Sequence, residues 1–140
     1  PDVRRRIGLA PQQEAVFAVL TAFEFVSLSA RLQGVDQPDD RARHVLDLVE
    51  LDPSDTRRLP TYSKGMRQRV KLAQAMVHDP SLILLDEPLT GLDRELHDQL
   101  VIELADLLHG TESTAILVTH DVEEATTLAD RTLRLSELQP

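Results

Sequence analysis

The chain has 140 residues, of which 41% are hydrophobic and only 3% aromatic, and its formal net charge is −9. This length suffices for the core of about one domain, and that core has to be aliphatic. The charge argues against binding to bare nucleic acid, and the absence of cysteine excludes disulfides and thiolate metal sites. No apolar run is long enough to span a bilayer, and residues 1–6 do not resemble a secretory signal, so a cytosolic protein is predicted.

Local signals in the first half of the chain predict a strand followed by helices. Residues 3–10 end in an apolar stretch before a proline, which predicts a short strand. Thr21 and Glu24 have the spacing of a capping box, so a helix is expected from there to about Gln33. A second helix is expected over residues 36–53, where a proline suits the first turn. Its predicted buried stripe consists of Val45, Leu46, Leu48 and Val49.

A third helix is predicted to begin after Ser63, a favourable N-cap residue, and to continue to about His78. Its apolar positions are Val70, Leu72, Ala73 and Met76. The basic side chains of this helix are expected on a solvated face rather than in a nucleic-acid patch. They are Arg67, Arg69 and Lys71.

The second half of the chain alternates between predicted strands and helices. Residues 82–85 form an unbroken apolar run before an acidic pair, which predicts a strand in the middle of a covered parallel sheet. A helix over residues 93–108 and a second buried strand over residues 114–119 are expected to follow. A cap-like acidic pair then predicts another helix, and residues 132–135 predict one more strand. The sequence therefore predicts an α/β core with a helical subdomain inserted into it.

An acidic pair, Asp86 and Glu87, lies at the carboxyl end of the predicted central strand. Open α/β sheets bind ligands at this edge, and two carboxylates there suit phosphoryl transfer, one supporting Mg²⁺ and the other orienting the attacking water. Adjacent residues of a strand point to opposite sides, so the two carboxylates can have different roles. The alternative is that they only mark the exit of the strand into solvent.

Ser63 and Gly65 lie at a predicted helix N-terminus. A hydroxyl, free backbone N–H groups and the positive end of the helix dipole together can bind an anion at such a place. The alternative, which this segment favours when it is considered alone, is an ordinary serine N-cap.

Taken in order, these segments resemble the ABC ATPase family from about residue 7 to residue 135. The matching segments are 7–12 (IGLAPQ), 62–66 (YSKGM), 82–88 (LILLDEP), 90–93 (TGLD) and 116–121 (ILVTHD). They are similar, respectively, to the strand and Q-loop, the signature motif, Walker B with the glutamate that follows it, the D-loop, and the segment with the switch histidine. Five motifs in the family's order are far more specific than any one of them.

The resemblance implies an α/β fold, namely the C-terminal part of a P-loop NTPase (RecA-like) core with an inserted helical subdomain. Residues 1–13 would form a core strand and the Q-loop. Residues 14–79 would form the helical subdomain with the signature motif. Residues 80–140 would form the α/β core with Walker B, the D-loop and the switch histidine.

The resemblance also implies ATP and Mg²⁺ as ligands and a role for each residue of the site. Asp86 would support Mg²⁺, and Gln12, preferred over the adjacent Gln13, would contact the ion or the lytic water. Glu87 would act as the general base or water-orienting group. His120 would contact the γ-phosphate and hold the catalytic geometry.

Other residues would act across a dimer. Ser63 and Gly65 would donate to the γ-phosphate of ATP bound on the opposite subunit, and Asp93 would line the subunit interface. The implied partners are a second ATP-binding subunit and a membrane-spanning transporter subunit or domain, with no nucleic acid. The protein would be cytoplasmic and peripheral at the inner face of the cell membrane.

Each of these residues also has a simpler interpretation. Without the family order, His120 would be a surface or capping residue, Gln12 and Gln13 would be solvated, and Asp93 would be the N-cap of the next helix. The other histidines show no spacing that suggests a metal site. They are His44, His78, His97 and His109.

Two features depart from the family pattern. The signature has Lys64 where glycine is commonest and Met66 where glutamine is commonest, a variant that resembles exporter-type subunits and points to efflux. The chain also contains no G-x-x-x-x-G-K-[ST] phosphate loop. We therefore expect a piece of a longer protein that lacks the Walker A part, exposes a strand edge near residues 114–119, and by itself neither binds ATP well nor hydrolyses it.

The expected function of the complete protein is ATP binding and hydrolysis that powers transmembrane transport, with export indicated by the signature variant. One alternative is an ABC-type ATPase acting on DNA or the ribosome, against which the compact Q-loop-to-signature segment and the negative charge argue. The other alternative is a non-catalytic interaction module. The presence of both Glu87 and His120 argues against it.

Overall fold

A computed structural model describes residues 3–12 and 18–138 of the chain. Within these residues, a sheet of three parallel strands has the order β1 (Ile7–Ala10), β2 (Leu82–Asp86), β3 (Thr114–Val118). The register aligns Ala10 with Leu85 and Leu85 with Leu117. The three strands therefore end together, and the residues that follow them share the carboxyl edge of the sheet.

The described residues include five α-helices, α1 (Ala22–Leu32), α2 (Pro38–Leu48), α3 (Lys64–Met76), α4 (Arg94–His109) and α5 (Val122–Leu128). The 3₁₀ helices are Val3–Arg6, Leu59–Thr61 and Leu135–Glu137. Helices α1, α2 and α3 pack on one another between β1 and β2 in the chain, and α4 is the crossover from β2 to β3. This alternation confirms the predicted α/β class. None of the described helices has the length and apolar character needed to cross a membrane.

The starts of two helices confirm the capping signals in the sequence. The Thr21 hydroxyl accepts from the Glu24 N–H at 3.2 Å, and the Glu24 carboxylate accepts from the Thr21 N–H at 2.9 Å. This reciprocal pair is the predicted capping box, and α1 ends one residue before Gln33. Helix α3 begins after Ser63, whose hydroxyl accepts from the Met66 N–H at 3.2 Å.

Helix α2 is shorter than predicted. Glu50 has a φ of 59°, and this left-handed backbone conformation stops the chain from continuing as a helix to residue 53. Val45, Leu46 and Val49 are buried as predicted, but Leu48 is exposed. Leu48 lines an open cavity of about 170 Å³ instead of packing into the core.

Helix α3 is held closely against its neighbours at its C-terminal end. A Cβ atom on Gly8 of β1 would lie 2.1 Å from the carbonyl oxygen of Ala75, so only glycine allows this approach. The Arg41 guanidinium of α2 donates to the carbonyl oxygens of Met76 at 3.2 Å and Val77 at 2.9 Å. The last turn of α3 is therefore fixed to both β1 and α2.

The core is aliphatic, as the composition predicts. Its largest fully buried side chains are Leu46, Leu59, Ile83, Leu85, Val26, Val45, Val70 and Val77. These residues come from helices, strands and connectors alike, so the buried side chains of the described residues form one continuous cluster.

The prediction that the basic side chains of α3 face solvent is wrong. Lys71 is only 6% exposed, and its Nζ donates to the main-chain oxygens of Pro11 at 3.1 Å and Gln12 at 3.0 Å. Arg69 forms an ion pair with Glu103 of α4. Because β1 and α4 both contact α3, the aliphatic stems are covered and the charged ends bind groups of these neighbours.

Two strand predictions near the C-terminal end are wrong in part. Strand β3 ends at Val118 and is largely exposed rather than buried, because within the described residues it pairs only with β2 and forms an edge of the sheet. Residues 132–135 form no strand, and Leu135 begins a 3₁₀ helix. A strand this short needs a neighbouring strand for its backbone groups, and none pairs with these residues in the described structure.

Candidate functional site

Three predicted site residues lie at or just beyond the carboxyl ends of the three strands. Asp86 is the last residue of β2, Gln12 lies two residues beyond the end of β1, and His120 lies two residues beyond the end of β3. Because the strands are parallel and in register, all three lie at the carboxyl edge of the sheet. Gln13, the other candidate in the predicted Q-loop, lies outside the described residues, as do residues 14–17.

Glu87 and His120 contact each other directly at this edge. The Nδ1 atom of His120 lies 2.9 Å from each carboxylate oxygen of Glu87. The hydrogen bond that Glu87 accepts from His120, followed by the charge of that carboxylate, raises the pKa of His120 above its ordinary value of 6.5. The Thr90 hydroxyl also donates to Glu87, at 3.1 Å. The predicted base and the predicted switch histidine are therefore partners in this structure.

Glu87 has an unusual backbone conformation. Its φ is 46°, in the left-handed region that costs a residue other than glycine roughly 1–2 kcal/mol. Its N–H donates to the carbonyl oxygen of Val118 at 2.8 Å, which ties the turn after β2 to the end of β3. Strain of this kind persists only where the surrounding structure holds it, and such positions cluster at functional sites.

The side chains of Asp86 and Gln12 are exposed, and each ends in an oxygen atom that can coordinate a metal ion. Oxygen ligands at an exposed edge suit Mg²⁺, which keeps several waters and takes one or two protein carboxylates beside phosphate oxygens. The main chain at Gln12 is held in place by the buried Lys71. The donor set at this edge therefore fits the predicted ion.

The predicted signature residues lie at the N-terminus of α3. Besides capping the helix, the Ser63 hydroxyl keeps its own proton to donate. Gly65 is buried, and a Cβ there would lie 3.1 Å from a methyl carbon of Leu96 in α4. The simpler interpretation of Ser63 as an N-cap is therefore correct, and the cap leaves a donor at a helix N-terminus.

Lys64 connects the signature segment to the predicted D-loop within one chain. Its Nζ donates to the carbonyl oxygen of Gly91 at 3.2 Å, and Gly91 has a φ of 81° that favours glycine. Asp93, two residues further on, caps α4 by accepting from the Leu96 N–H at 3.0 Å. The residue that departs from the usual signature thus has a structural partner.

Sequence reasoning missed three residues near the site. Thr90 binds Glu87, and its position three residues after an acidic residue in a turn is a signal that could have indicated it. Lys64 binds a carbonyl far away in the chain, which no local pattern predicts. His97 lies with Asp121 and Glu124, their ligand atoms within 4.8 Å of one another, although the spacing of the histidines gave no indication.

The parallel sheet, the helices between its strands and the acidic pair at its carboxyl edge define a P-loop NTPase type of α/β protein. The sequence model of the family described as ABC transporter matches residues 1–90. The chain therefore belongs to the ABC transporter family, as its motifs predicted, and this family's ATP-binding domains are ATPases.

Curated relatives extend the similarity beyond the family model. The chain is 40% identical over 139 residues to a spermidine/putrescine import ATP-binding protein, PotA, of Rubrobacter xylanophilus, covering 98% of this chain and 37% of that protein. It is 42% identical over 131 residues to a taurine import ATP-binding protein, TauB, of Burkholderia pseudomallei, covering 92% of this chain and 50% of that protein. The chain thus spans half or less of the length of these relatives.

Proposed function

We propose that the complete protein containing this chain is the ATP-hydrolysing subunit of an ABC-type transporter. The observation that supports this most is the contact between Glu87 and His120 at the carboxyl edge of the sheet, beside Asp86. A carboxylate paired with an imidazole, next to a second carboxylate, supplies a base, a cation and a metal ligand. Phosphoryl transfer needs these groups in fixed positions and no covalent nucleophile.

Asp86 and Gln12 are the residues proposed to hold Mg²⁺ beside the phosphates of ATP. Bound there, the ion would neutralise part of the charge on the transferring phosphoryl group. Lys71 contributes indirectly, because it fixes the main chain from which the Gln12 side chain extends.

Glu87 is proposed to accept the proton of the attacking water. A carboxylate oxygen has lone pairs that can take up that proton, and the contact with His120 holds the side chain at the carboxyl edge of the sheet. The imidazolium of His120 can donate to a γ-phosphate oxygen when it leaves Glu87. The same two side chains would thus exchange their mutual contact for contacts to water and phosphate.

The remaining site residues are proposed to act between subunits. Ser63 and Gly65 would donate to ATP held by a second ATP-binding subunit, and Asp93 would line that interface. Residues 14–79 are proposed as a helical subdomain facing a membrane-spanning partner, with residues 1–13 and 80–140 forming the core. The complete protein would then work at the cytoplasmic face of the membrane, bound through its partner.

For the direction of transport, we propose import. The variant residues Lys64 and Met66 pointed to export, whereas both relatives named above are import subunits similar over 92% and 98% of the chain. Their names give spermidine/putrescine in one case and taurine in the other, so no cargo is carried over to this protein. Comparing the solutes retained by cells with and without the transporter tests the direction: import predicts depletion of the cargo in its absence, and accumulation would indicate export.

The replacement of Glu87 by glutamine tests the proposed chemistry. In the complete, assembled protein, Glu87→Gln should lower ATP turnover by a factor on the order of 10² or more, because an amide cannot take up the proton of water. ATP binding, measured by titration with a fluorescent ATP analogue, should be retained. Glu95→Gln, the same change at an exposed position of α4, is the matched control and should leave turnover unchanged. Normal turnover in Glu87→Gln would remove Glu87 from the base role.

A further inference from the structure

Glu124 is a buried carboxylate for which the proposed chemistry has no use. It lies in the first turn of α5 and is only 4% exposed. One carboxylate oxygen accepts from the Thr119 hydroxyl at 2.7 Å, and the other lies 2.8 Å from His97 Nε2. A charge this deeply buried is stable only with such partners, so Glu124, Thr119 and His97 form one hydrogen-bonded unit.

This unit holds the two residues that flank His120. The Thr119 hydroxyl accepts from the Asp121 N–H at 3.0 Å while it donates to Glu124. The Asp121 carboxylate in turn accepts from the N–H of Glu123 at 2.8 Å and of Glu124 at 3.2 Å. Thr119 and Asp121 are thereby fixed to each other and to the start of α5, which leaves little freedom for the backbone at His120.

His97 connects this loop to α4, the helix that Asp93 caps. Its imidazole bridges two carboxylates, with Nδ1 3.2 Å from Asp98 and Nε2 2.8 Å from Glu124. The side chain is mostly buried, so it acts as a fixed support and not as a mobile surface group. The imidazole of His97 therefore links α4, the helix that the predicted D-loop residue Asp93 caps, to the loop that contains His120.

We propose that Glu124 and His97 are positioning residues, which hold the loop around His120 so that its imidazole stays within hydrogen-bond distance of Glu87. The proposal deepens the proposed function, on which it rests, by extending the catalytic arrangement to a support that spans α4 and α5. In the described hydrogen bonds Glu124 and His97 do not contact Glu87 or His120, so they position the loop through Thr119 and Asp121, and the charge of Glu124 also helps to raise the pKa of His120.

The charges around His97 favour its protonated form. Burial lowers the pKa of His97, but the hydrogen bonds that Glu124 and Asp98 accept from it, together with the charges of Glu124 and Asp121, outweigh this and raise it above 6.5. Arg94 of α4 also lies nearby but is engaged by Asp98 and Glu123. Protonated His97 can donate to both carboxylates at once. The link from α4 to Glu124 therefore weakens as the pH rises through the raised pKa of His97.

The test measures the position of His120 separately from activity. In the complete protein, the pKa of His120 is followed by NMR titration of its ring proton, alongside kcat and KM for ATP hydrolysis. His97→Leu should shift the His120 pKa back toward 6.5 and lower kcat on the order of tenfold, with KM for ATP within about twofold. His109→Leu is the matched control, because this exposed histidine of α4 contacts the Ala105 carbonyl oxygen and lies 4.0 Å from Asp130, which are not part of the Glu124 unit, and all three quantities should stay unchanged.

Two more variants keep the test decisive if His97→Leu folds poorly. Thr119→Val preserves the side-chain shape but removes the hydroxyl that joins Glu124 to Asp121, so it should reproduce both changes. His97→Arg retains a donor and a fixed positive charge, so it should restore kcat and the His120 pKa.

The controls separate this proposal from the proposed function. An unchanged His120 pKa in Thr119→Val would overturn the positioning role, whatever happens to kcat. The NMR measurement needs no turnover, so it remains valid even if Glu87→Gln were to show that Glu87 is not the base.

Discussion

At the scale of single residues, the contact between Glu87 and His120 sets the resting state of the site. The His120 side chain is 79% exposed, so solvent screens the pair and its contribution to folding is small. Its importance lies in charge and position: the contact raises the pKa of the His120 imidazole and holds the two side chains together. In the proposed function, the two side chains exchange this contact for contacts to water and phosphate.

The pKa of His120 offers a direct check of this contact. Because Glu87 raises that pKa, the ion pair is fully present below the ordinary value of 6.5 and is lost as the pH rises through the raised value. NMR titration of the ring proton should give a pKa above 6.5 in the wild type and a lower one in Glu87→Gln. Glu95→Gln, which removes an exposed carboxylate of α4 instead, should leave the His120 pKa unchanged. Identical titration of His120 in the wild type and Glu87→Gln would contradict the contact.

The common edge of the predicted site residues could be foreseen, but their conformations could not. Asp86, Glu87 and His120 follow apolar runs that the sequence displays openly, so their common edge could be inferred from strand order. The left-handed backbone of Glu87 depends on its bond to Val118, and the role of Thr119 depends on a buried carboxylate in the next helix. Such features arise from tertiary contacts, which local sequence patterns do not predict.

At the scale of elements, helix α3 shows why caps were predicted correctly and burial was not. A cap joins residues three positions apart, as Ser63 and Met66 do. Lys71 instead binds Pro11 and Gln12, which lie 60 and 59 positions earlier in the chain. A lysine in an amphipathic helix indicates a solvated face unless the fold supplies distant acceptors, and here β1 and the segment after it supply two.

Replacing Lys71 should weaken the attachment of α3 to the segment after β1. Lys71→Met keeps a side chain of similar length in the same space but leaves two carbonyl oxygens without their donor, at a cost of about 1–3 kcal/mol. The change should appear in urea unfolding of this chain as a lower midpoint with an unchanged slope. Gln74→Met, on the same helix, is the control and should alter the midpoint little. Equal midpoints for the two variants would show that the Lys71 contacts contribute nothing.

At the scale of the whole molecule, strand β3 exposes apolar side chains on an edge that pairs with no further strand among the described residues. Ile116 is 49% exposed, and Val118 is exposed as well. An edge strand of this kind is a template for pairing with another chain. The alternation of strands and helices, and with it the fold class, was predictable from hydrophobic runs. The exposed edge near β3 was expected from the absence of a phosphate-loop motif, whereas the apolar run by itself suits a covered strand or an open one.

This edge should make the isolated 140-residue chain self-associate. Sedimentation velocity over a range of concentrations should show association in the wild type and less of it in Ile116→Lys, since a charge on β3 opposes strand pairing. Ile102→Lys is the matched control, because this isoleucine is 62% exposed on α4, far from any strand edge in the described topology. If both variants associate like the wild type, another surface is responsible.

The close approach at Gly8 fixes one end of helix α3, so a small tilt at that end produces a large displacement at the other. Its last turn is fixed to β1 and α2, whereas its first turn carries Ser63 and Gly65. From Ala75 to Ser63 the helix extends about 18 Å, so a tilt of about 6° at the fixed end displaces the Ser63 hydroxyl by about 2 Å. That displacement is larger than the difference in length between the shortest and the longest hydrogen bonds. A methyl group at residue 8 would tilt α3 at the end attached to β1. The signature segment at the other end would then move out of hydrogen-bond distance of any nucleotide presented by a second subunit.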